Sequence, residues 1–254
     1  MITELTATMI GTYKRCPRRY ELEYIHELKP VGTSDALAIG TSYHANVEHI
    51  LRHEEYDHSG LAGRMSEAFE KYINWETWDA HPEQEFRVRI TRGLYLKGKL
   101  DALTSARIPV EHKTTGQANL DKYIDHLAYD DQISLYMLAT GSLEAIYTVM
   151  QKPTIRQGKA ESEEDYLSRV SDWYSPEHVV CVRVYRTAGE LAAKREEVIY
   201  LAGQIRRTKL FWRNPNTCAI TACPYASICL SYEPEMEIVG FMKKERRNEE
   251  LCKY

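Results

Sequence analysis

Gly98-Lys99-Leu100-Asp101, followed by Glu111-His112-Lys113, is the stretch that decides the reading of this chain. Ile108-Pro109-Val110-Glu111-His112-Lys113 reads as a short strand. Side chains alternate between the two faces of a strand, so Glu111 and Lys113 point one way while Val110 and His112 point the other. Asp101 ends an earlier alternating run and can sit beside them. Two hard carboxylate oxygens suit Mg²⁺ or Mn²⁺. A neighbouring ammonium can offset charge on a phosphate or position an attacking water. A plain surface salt bridge between Glu111 and Lys113 is the alternative, and the rest of the chain has to decide between them.

Working outward, the first 25 residues read as two helical pieces broken at Cys16-Pro17, where proline suits the first turn of a new helix. A second helix is expected from about Ile39 to His53, and a polar helical insertion over about 54–82, with its helix at 61–79 acting as a cap. The period then changes. Phe86, Val88 and Ile90 alternate with polar residues, Arg92-Gly93 marks a turn, and Leu94, Leu96, Leu100 and Ala102 continue the alternation, which is a hairpin. A helix from about Asp130 to Thr140 closes at Gly141. Leu143 to Met150 reads as a strand, 153–164 as a loop, 163–172 as a short helix and His178 to Tyr185 as another strand. A long helix is expected from Gly189 to Trp212, stopped by Asn214-Pro215. This order packs naturally as one mixed sheet with helices on both faces, an α/β domain over 1–254.

The 254 residues are 43% hydrophobic, enough for a substantial core. No apolar run reaches the roughly 18 residues of a membrane helix, and the N-terminal residues lack a signal-peptide layout, so the expectation is a cytoplasmic protein with no membrane partner. The net charge of −4 does not advertise a nucleic-acid binder. Charge is uneven, however: Lys14, Arg15, Arg18 and Arg19 cluster, as do Arg206, Arg207, Lys209 and Arg213, and Lys243, Lys244, Arg246 and Arg247. Such clusters either track phosphates or form solvated helix faces. The 18 tyrosines include candidates for stacking on single-stranded bases.

Three further groups carry chemistry. In Gly40-Thr41-Ser42-Tyr43-His44-Ala45-Asn46-Val47-Glu48 the residues 40, 44 and 48 share a helix face. Neutral His44 could ligate a metal from that face, or be an ordinary core or surface histidine. Gln132 and Tyr136 share another helix face and offer an amide and a phenol for hydrogen bonding, unless that helix is simply amphipathic. Cys218, Cys223 and Cys229 crowd together with four and five intervening residues, and Cys16 is available as a fourth thiolate. Disulfides are not expected in a cytoplasmic chain. Four thiolates suit an iron–sulphur cluster or zinc. Closing so long a loop costs about 5 kcal/mol in chain entropy, which metal–thiolate bonding of about 10–16 kcal/mol exceeds.

In this order the groups resemble the RecB-like branch of the PD-(D/E)XK nuclease superfamily, and more closely the iron–sulphur exonucleases of CRISPR adaptation and related phage nucleases. The matching stretches are Tyr13 to Tyr20, Gly40 to Glu48, Gly98 to Asp101, Glu111 to Lys113, Gln132 to Tyr136 and the terminal cysteines. The resemblance implies a restriction-endonuclease-like core whose helical N- and C-terminal parts are joined by a cluster. It implies His44, Asp101, Glu111 and the backbone carbonyl of His112 as ligands of Mg²⁺ or Mn²⁺. It implies Lys113 as the catalytic lysine with Gln132 and Tyr136 in support, and a 4Fe-4S cluster on Cys16, Cys218, Cys223 and Cys229. The family spaces the first two cysteines of its triplet by two residues where this chain has four, which keeps zinc open. The implied activity is metal-dependent hydrolysis of DNA, as an exonuclease on single strands or ends, with DNA and other DNA-processing proteins as partners. The alternative is a binding module on the same fold that holds DNA or a partner without cutting.

Overall fold

The computed structural model describes residues 3–32, 35–218, 223–231, 233 and 238–245. In chain order its elements are β1 (Glu4–Leu5), α1 (Ala7–Arg15), α2 (Pro17–Tyr20), β2 (Leu28–Pro30), α3 (Asp35–Leu51), α4 (Gly60–Tyr72), β3 (Ala80–Thr91) and β4 (Leu94–Thr104). There follow β5 (Pro109–Thr115), α5 (Leu120–Leu127), α6 (Asp131–Thr140), β6 (Glu144–Gln151), α7 (Glu163–Trp173), β7 (Val179–Tyr185), α8 (Ala188–Arg207), α9 (Pro215–Cys218) and β8 (Phe241–Lys243). The fold is α/β, with a mixed sheet flanked by helices. Residues group into two compact units, one of 1–33, 86–98 and 192–254, the other of 34–85 and 99–191.

The second unit holds the centre of the sheet. β5 lies between β4, antiparallel with Ala102 opposite Val110, and β6, parallel with Glu111 opposite Tyr147. β7 then runs antiparallel to β6. A strand with neighbours on both sides is largely buried, and Pro109, Val110, Glu111 and His112 lie below the surface while Lys113 and Thr114 are half-buried. The core beneath is built from Tyr43, Val47 and Ile50 of α3, Met65, Ala68 and Phe69 of α4, and Val110, Ile146 and Met150 of the strands.

Two expectations change here. The helix read as a polar cap over 61–79 is α4, and it ends at Tyr72 before one tight turn at Trp75–Trp78. It is not a cap: Met65 and Phe69, one helical turn apart, are fully buried, because a narrow apolar stripe in a polar sequence is enough to seat a helix in a core. Residues 120–127, read as neither helix nor strand, form α5, whose N-cap Asn119 accepts from the Lys122 backbone N–H at 3.0 Å.

In the first unit β1 pairs in parallel with the start of β4, Leu5 opposite Leu96. Gly98 is required there by close approach: a Cβ would come within 2.4 Å of the Phe86 ring. The long helix α8 ends at Arg207, not at Trp212. Thr208 turns its hydroxyl back onto the Gln204 carbonyl at 2.8 Å. Beyond it Phe211 stacks on Tyr20, and the Trp212 carbonyl accepts from the Arg18 N–H, so tertiary contacts override helical propensity. The basic cluster near the N-terminus is largely paired: Lys14 with Glu197 at 2.8 Å, Arg18 with Glu21, and Arg19 with Glu23 at 3.1 Å. Arg246 and Arg247 lie outside the described residues. A smaller core gathers Leu22, Leu28, Tyr225 and Ile228. Among the described residues no helix is long and apolar enough to cross a membrane.

Because Phe69 is fully buried and packs edge-on against the His112 ring at 5.6 Å, Phe69→Ala is expected to destabilise the protein by about 3–5 kcal/mol. Denaturant titration measures this; a loss below about 1 kcal/mol would mean that α4 is the solvated cap after all.

Candidate active site

β4 brings Asp101 to the sheet face, β5 brings Glu111 and Lys113, α3 brings His44, and α6 brings Gln132 and Tyr136. All six belong to the second unit. Asp101 Oδ2 accepts from the His112 backbone N–H at 2.8 Å and lies 3.6 Å from His44 Nδ1. Lys113 Nζ donates to Glu111 Oε1 and to Gln132 Oε1, both at 2.7 Å. The Gln132 amide in turn donates to the Tyr136 hydroxyl at 2.8 Å. The spacings read from the sequence therefore bring these residues together. The period of two in β5 aims Glu111 and Lys113 the same way, and the four-residue spacing in α6 stacks Gln132 on Tyr136.

Other predicted positions do less. Glu48 of α3 pairs at 2.8 Å with Arg52, just past the end of the helix. At Gly40 an added Cβ would meet Thr114 Oγ1 at 3.5 Å, an ordinary contact. The His112 ring is a core group: it shares a 2.6 Å hydrogen bond with Thr148 and packs on Phe69. Burial pushes its pKa down to about 4, so the ring is neutral.

Two residues are additional to the sequence reading. Asp130, the N-cap of α6, stands 4.0 Å from Lys113 Nζ. Tyr147 of β6 donates to Asp130 Oδ2 at 2.7 Å. Asp130 carried a detectable signal, an acidic N-cap just ahead of Gln132. Tyr147 carried none, since it lies within a continuous buried run.

The electrostatics divide the two carboxylates. Burial raises Asp101, but His44 and the His112 N–H outweigh it and hold the carboxyl well below the usual range. Burial and the nearby Asp101 charge push Glu111 up to about 7, against the pull of Lys113. For Lys113, burial is outweighed by Glu111 and Asp130, so its pKa is raised and it stays an ammonium. His44 is also raised: burial opposes its charge, but Asp101 favours it more.

A divalent cation fits these residues by chemistry. Glu111 Oε2 is buried with no hydrogen-bond partner among the described residues. With Asp101 and His44 it makes a donor set of the kind Mg²⁺ and Mn²⁺ take. As they stand, Glu111 takes the Lys113 ammonium and Asp101 the His44 imidazole, and among the described residues no three His, Cys, Asp or Glu side chains close around one point. The cysteines are in the same condition. Cys16 is buried, Cys218 exposed, Cys223 and Cys229 half-buried, and all are free thiols. Burial raises the Cys229 thiol, Arg18 opposes this, and Cys16 and Cys218 add to it, so three thiols lie within electrostatic reach. Cys223 instead interacts with Arg19 and Tyr225.

The chain belongs to the PD-(D/E)XK nuclease superfamily, whose sequence model matches residues 4–230. Among curated proteins none matches by sequence. Of solved structures, a candidate exonuclease from Eubacterium rectale superposes with a TM-score of 0.50 at 12% identity, over 87% of this chain and 93% of that one. A phage-related exonuclease from Haemophilus somnus 129PT gives 0.39 at 16% identity, over 75% and 92%. An alkaline exonuclease from Laribacter hongkongensis gives 0.39 at 13%, over 80% and 88%. At these identities the likeness concerns the fold.

The raised Glu111 carboxyl yields a stability prediction. Its ionised form is disfavoured in the folded state, so its contribution falls as pH rises from its ordinary value of 4.5 towards about 7. Glu111→Gln cannot ionise. In EDTA at pH 8 it is expected to be more stable than wild type by on the order of 1–3 kcal/mol, a shift of several degrees in melting temperature. At pH 5 the gap narrows. Melting curves at the two pH values check the sign.

Proposed function

We propose that this chain is a divalent-metal-dependent deoxyribonuclease of the RecB-like branch, an exonuclease acting on single-stranded DNA or DNA ends, with residues 1–254 working as one nuclease domain. The observation that carries the reading is the unbroken line of hydrogen bonds from Glu111 through Lys113 and Gln132 to Tyr136, set beside Asp101 and His44. Superfamily membership supplies the reaction class. His44, Asp101, Glu111 and the His112 carbonyl would hold the metal. When bound, Mg²⁺ or Mn²⁺ would make a water more acidic and withdraw charge from the scissile phosphate.

The protein's own groups divide the remaining work. Lys113 has its pKa raised, so it cannot accept a proton at neutral pH. Its role is therefore that of a fixed cation: it donates to a phosphate or water oxygen and offsets charge as the transition state forms. Glu111 and Gln132 hold the ammonium from two sides, which lowers the entropy lost when substrate arrives. Tyr136 fixes the Gln132 amide so that its oxygen faces the lysine. Asp101 stays ionised throughout the neutral range and keeps His44 oriented. Membership of the nuclease superfamily supports DNA as the partner.

We also propose a 4Fe-4S cluster on Cys16, Cys218, Cys223 and Cys229, with zinc as the alternative. The shared neighbourhood of Cys16, Cys218 and Cys229 supports it. The cluster would tie the ends of the chain together, and no catalytic step depends on it.

Lys113→Ala is expected to lose roughly 10²–10³ in rate, measured on end-labelled single- and double-stranded DNA with Mn²⁺. Equal activity in the variant and wild type would remove this site assignment. Protein purified without oxygen is expected to be brown, with about four irons per chain by metal analysis. A colourless preparation with stoichiometric zinc would decide for the alternative.

A further inference from the structure

A lysine ammonium carries three N–H donors. Among the described residues, two of those of Lys113 are taken at 2.7 Å, by Glu111 Oε1 and Gln132 Oε1. Asp130 Oδ2 stands at 4.0 Å, close enough to attract the charge and too far to accept a hydrogen bond. An unrestrained carboxylate at that distance would close on the cation. Asp130 is restrained at both oxygens. Oδ1 accepts from the Gln132 backbone N–H at 2.7 Å, and Oδ2 accepts from the Tyr147 hydroxyl at 2.7 Å. Tyr147 is fully buried and sits in register with Glu111 across β5 and β6, so its ring has no room to swing.

We propose that Tyr147 is a positioning residue that tethers Asp130 away from Lys113 and so keeps the third ammonium donor for a phosphate oxygen of the DNA strand. This deepens the proposed function and rests on it. The tether lets Asp130 do two things at once. Its charge favours the ammonium, and its geometry does not block it. A carboxylate in direct contact would saturate the lysine and leave no donor facing the substrate.

The test uses four proteins: wild type, Tyr147→Phe, Asp130→Asn and the double variant. Phe keeps the buried ring and removes only the hydroxyl. Asn is as good an N-cap as Asp, so α6 keeps its start. With the hydroxyl gone, Asp130 closes on Lys113. In Tyr147→Phe, kcat/KM on a short single-stranded oligonucleotide with Mn²⁺ is expected to fall about tenfold. Binding of the same strand in EDTA, followed by fluorescence anisotropy, weakens several-fold. The double variant, whose neutral amide does not sequester the ammonium, recovers most of both. A merely structural tyrosine gives the reverse, with the two losses multiplying. A Tyr147→Phe variant as fast as wild type, or a double variant no better than Tyr147→Phe, overturns the tether. Lys113→Ala in the same assay separates the two levels. If it is as active as wild type, the nuclease site itself is wrong; if it is inactive while Tyr147→Phe is not slowed, only the tether is wrong.

Discussion

Two carboxylates set side by side on adjacent strands, Glu111 buried and Asp101 half-buried, are the constraint on which the rest of this structure depends. Asp101 and Glu111 sit where β4 and β5 pair, a place suited to valine and alanine, which their neighbours Val110 and Ala102 are. Like charges in low dielectric cannot both ionise freely, so their environments must differ. Asp101 has a backbone N–H and an imidazole and stays ionised. Glu111 has one ammonium at one oxygen and, among the described residues, no partner at the second, and burial beside Asp101 raises its pKa. The cost falls on stability, and the apolar packing of α3 and α4 beneath the strands offsets it. A core made only for folding would have no reason to carry this pair.

How far this was legible in the sequence depends on how local each feature is. Strand periodicity is a property of neighbouring residues, so the shared face of Glu111 and Lys113 could be read directly, as could the Gln132–Tyr136 face of α6. That Asp101 sits beside Glu111 and Lys113 could be anticipated from the hairpin and the strand that follows it. The seat of α4 is less local: Leu61, Met65, Ala68, Phe69 and Tyr72 make its apolar stripe, but what that stripe meets depends on contacts distant in the sequence. The end of α8 was illegible for the same reason: the stacking of Phe211 on Tyr20 joins residues far apart in the chain. Tyr147 lies in a run whose members are all buried, so nothing in the run marks one hydroxyl as different.

The supporting residues also differ in charge, and the difference has a reason. Gln132 touches Lys113 directly and is neutral. Asp130 is charged and stands off. A direct second carboxylate would add Coulomb attraction, but it would compete with any phosphate for the same protons. A neutral amide orients the ammonium without that competition, since its oxygen is a weaker acceptor than a carboxylate. Its own orientation must then be fixed, because an amide can present either end. The Tyr136 hydroxyl is placed to accept from the nitrogen end, which leaves the oxygen for the lysine.

The same reasoning explains why the lysine is held so firmly. Were Lys113 mobile, its charge would settle on whichever carboxylate lay nearest, and on burial that pairing would be hard to break. Glu111 holds the ammonium at one oxygen only, and a lysine anchored at a second point does not depend on that contact alone. Gln132 is that second anchor. It comes from a helix capped by Asp130 at its start and closed at Gly141, whose φ of 77° ends the helix cleanly. The rigidity of a ten-residue helix is thereby transmitted, through one amide, to a single ammonium.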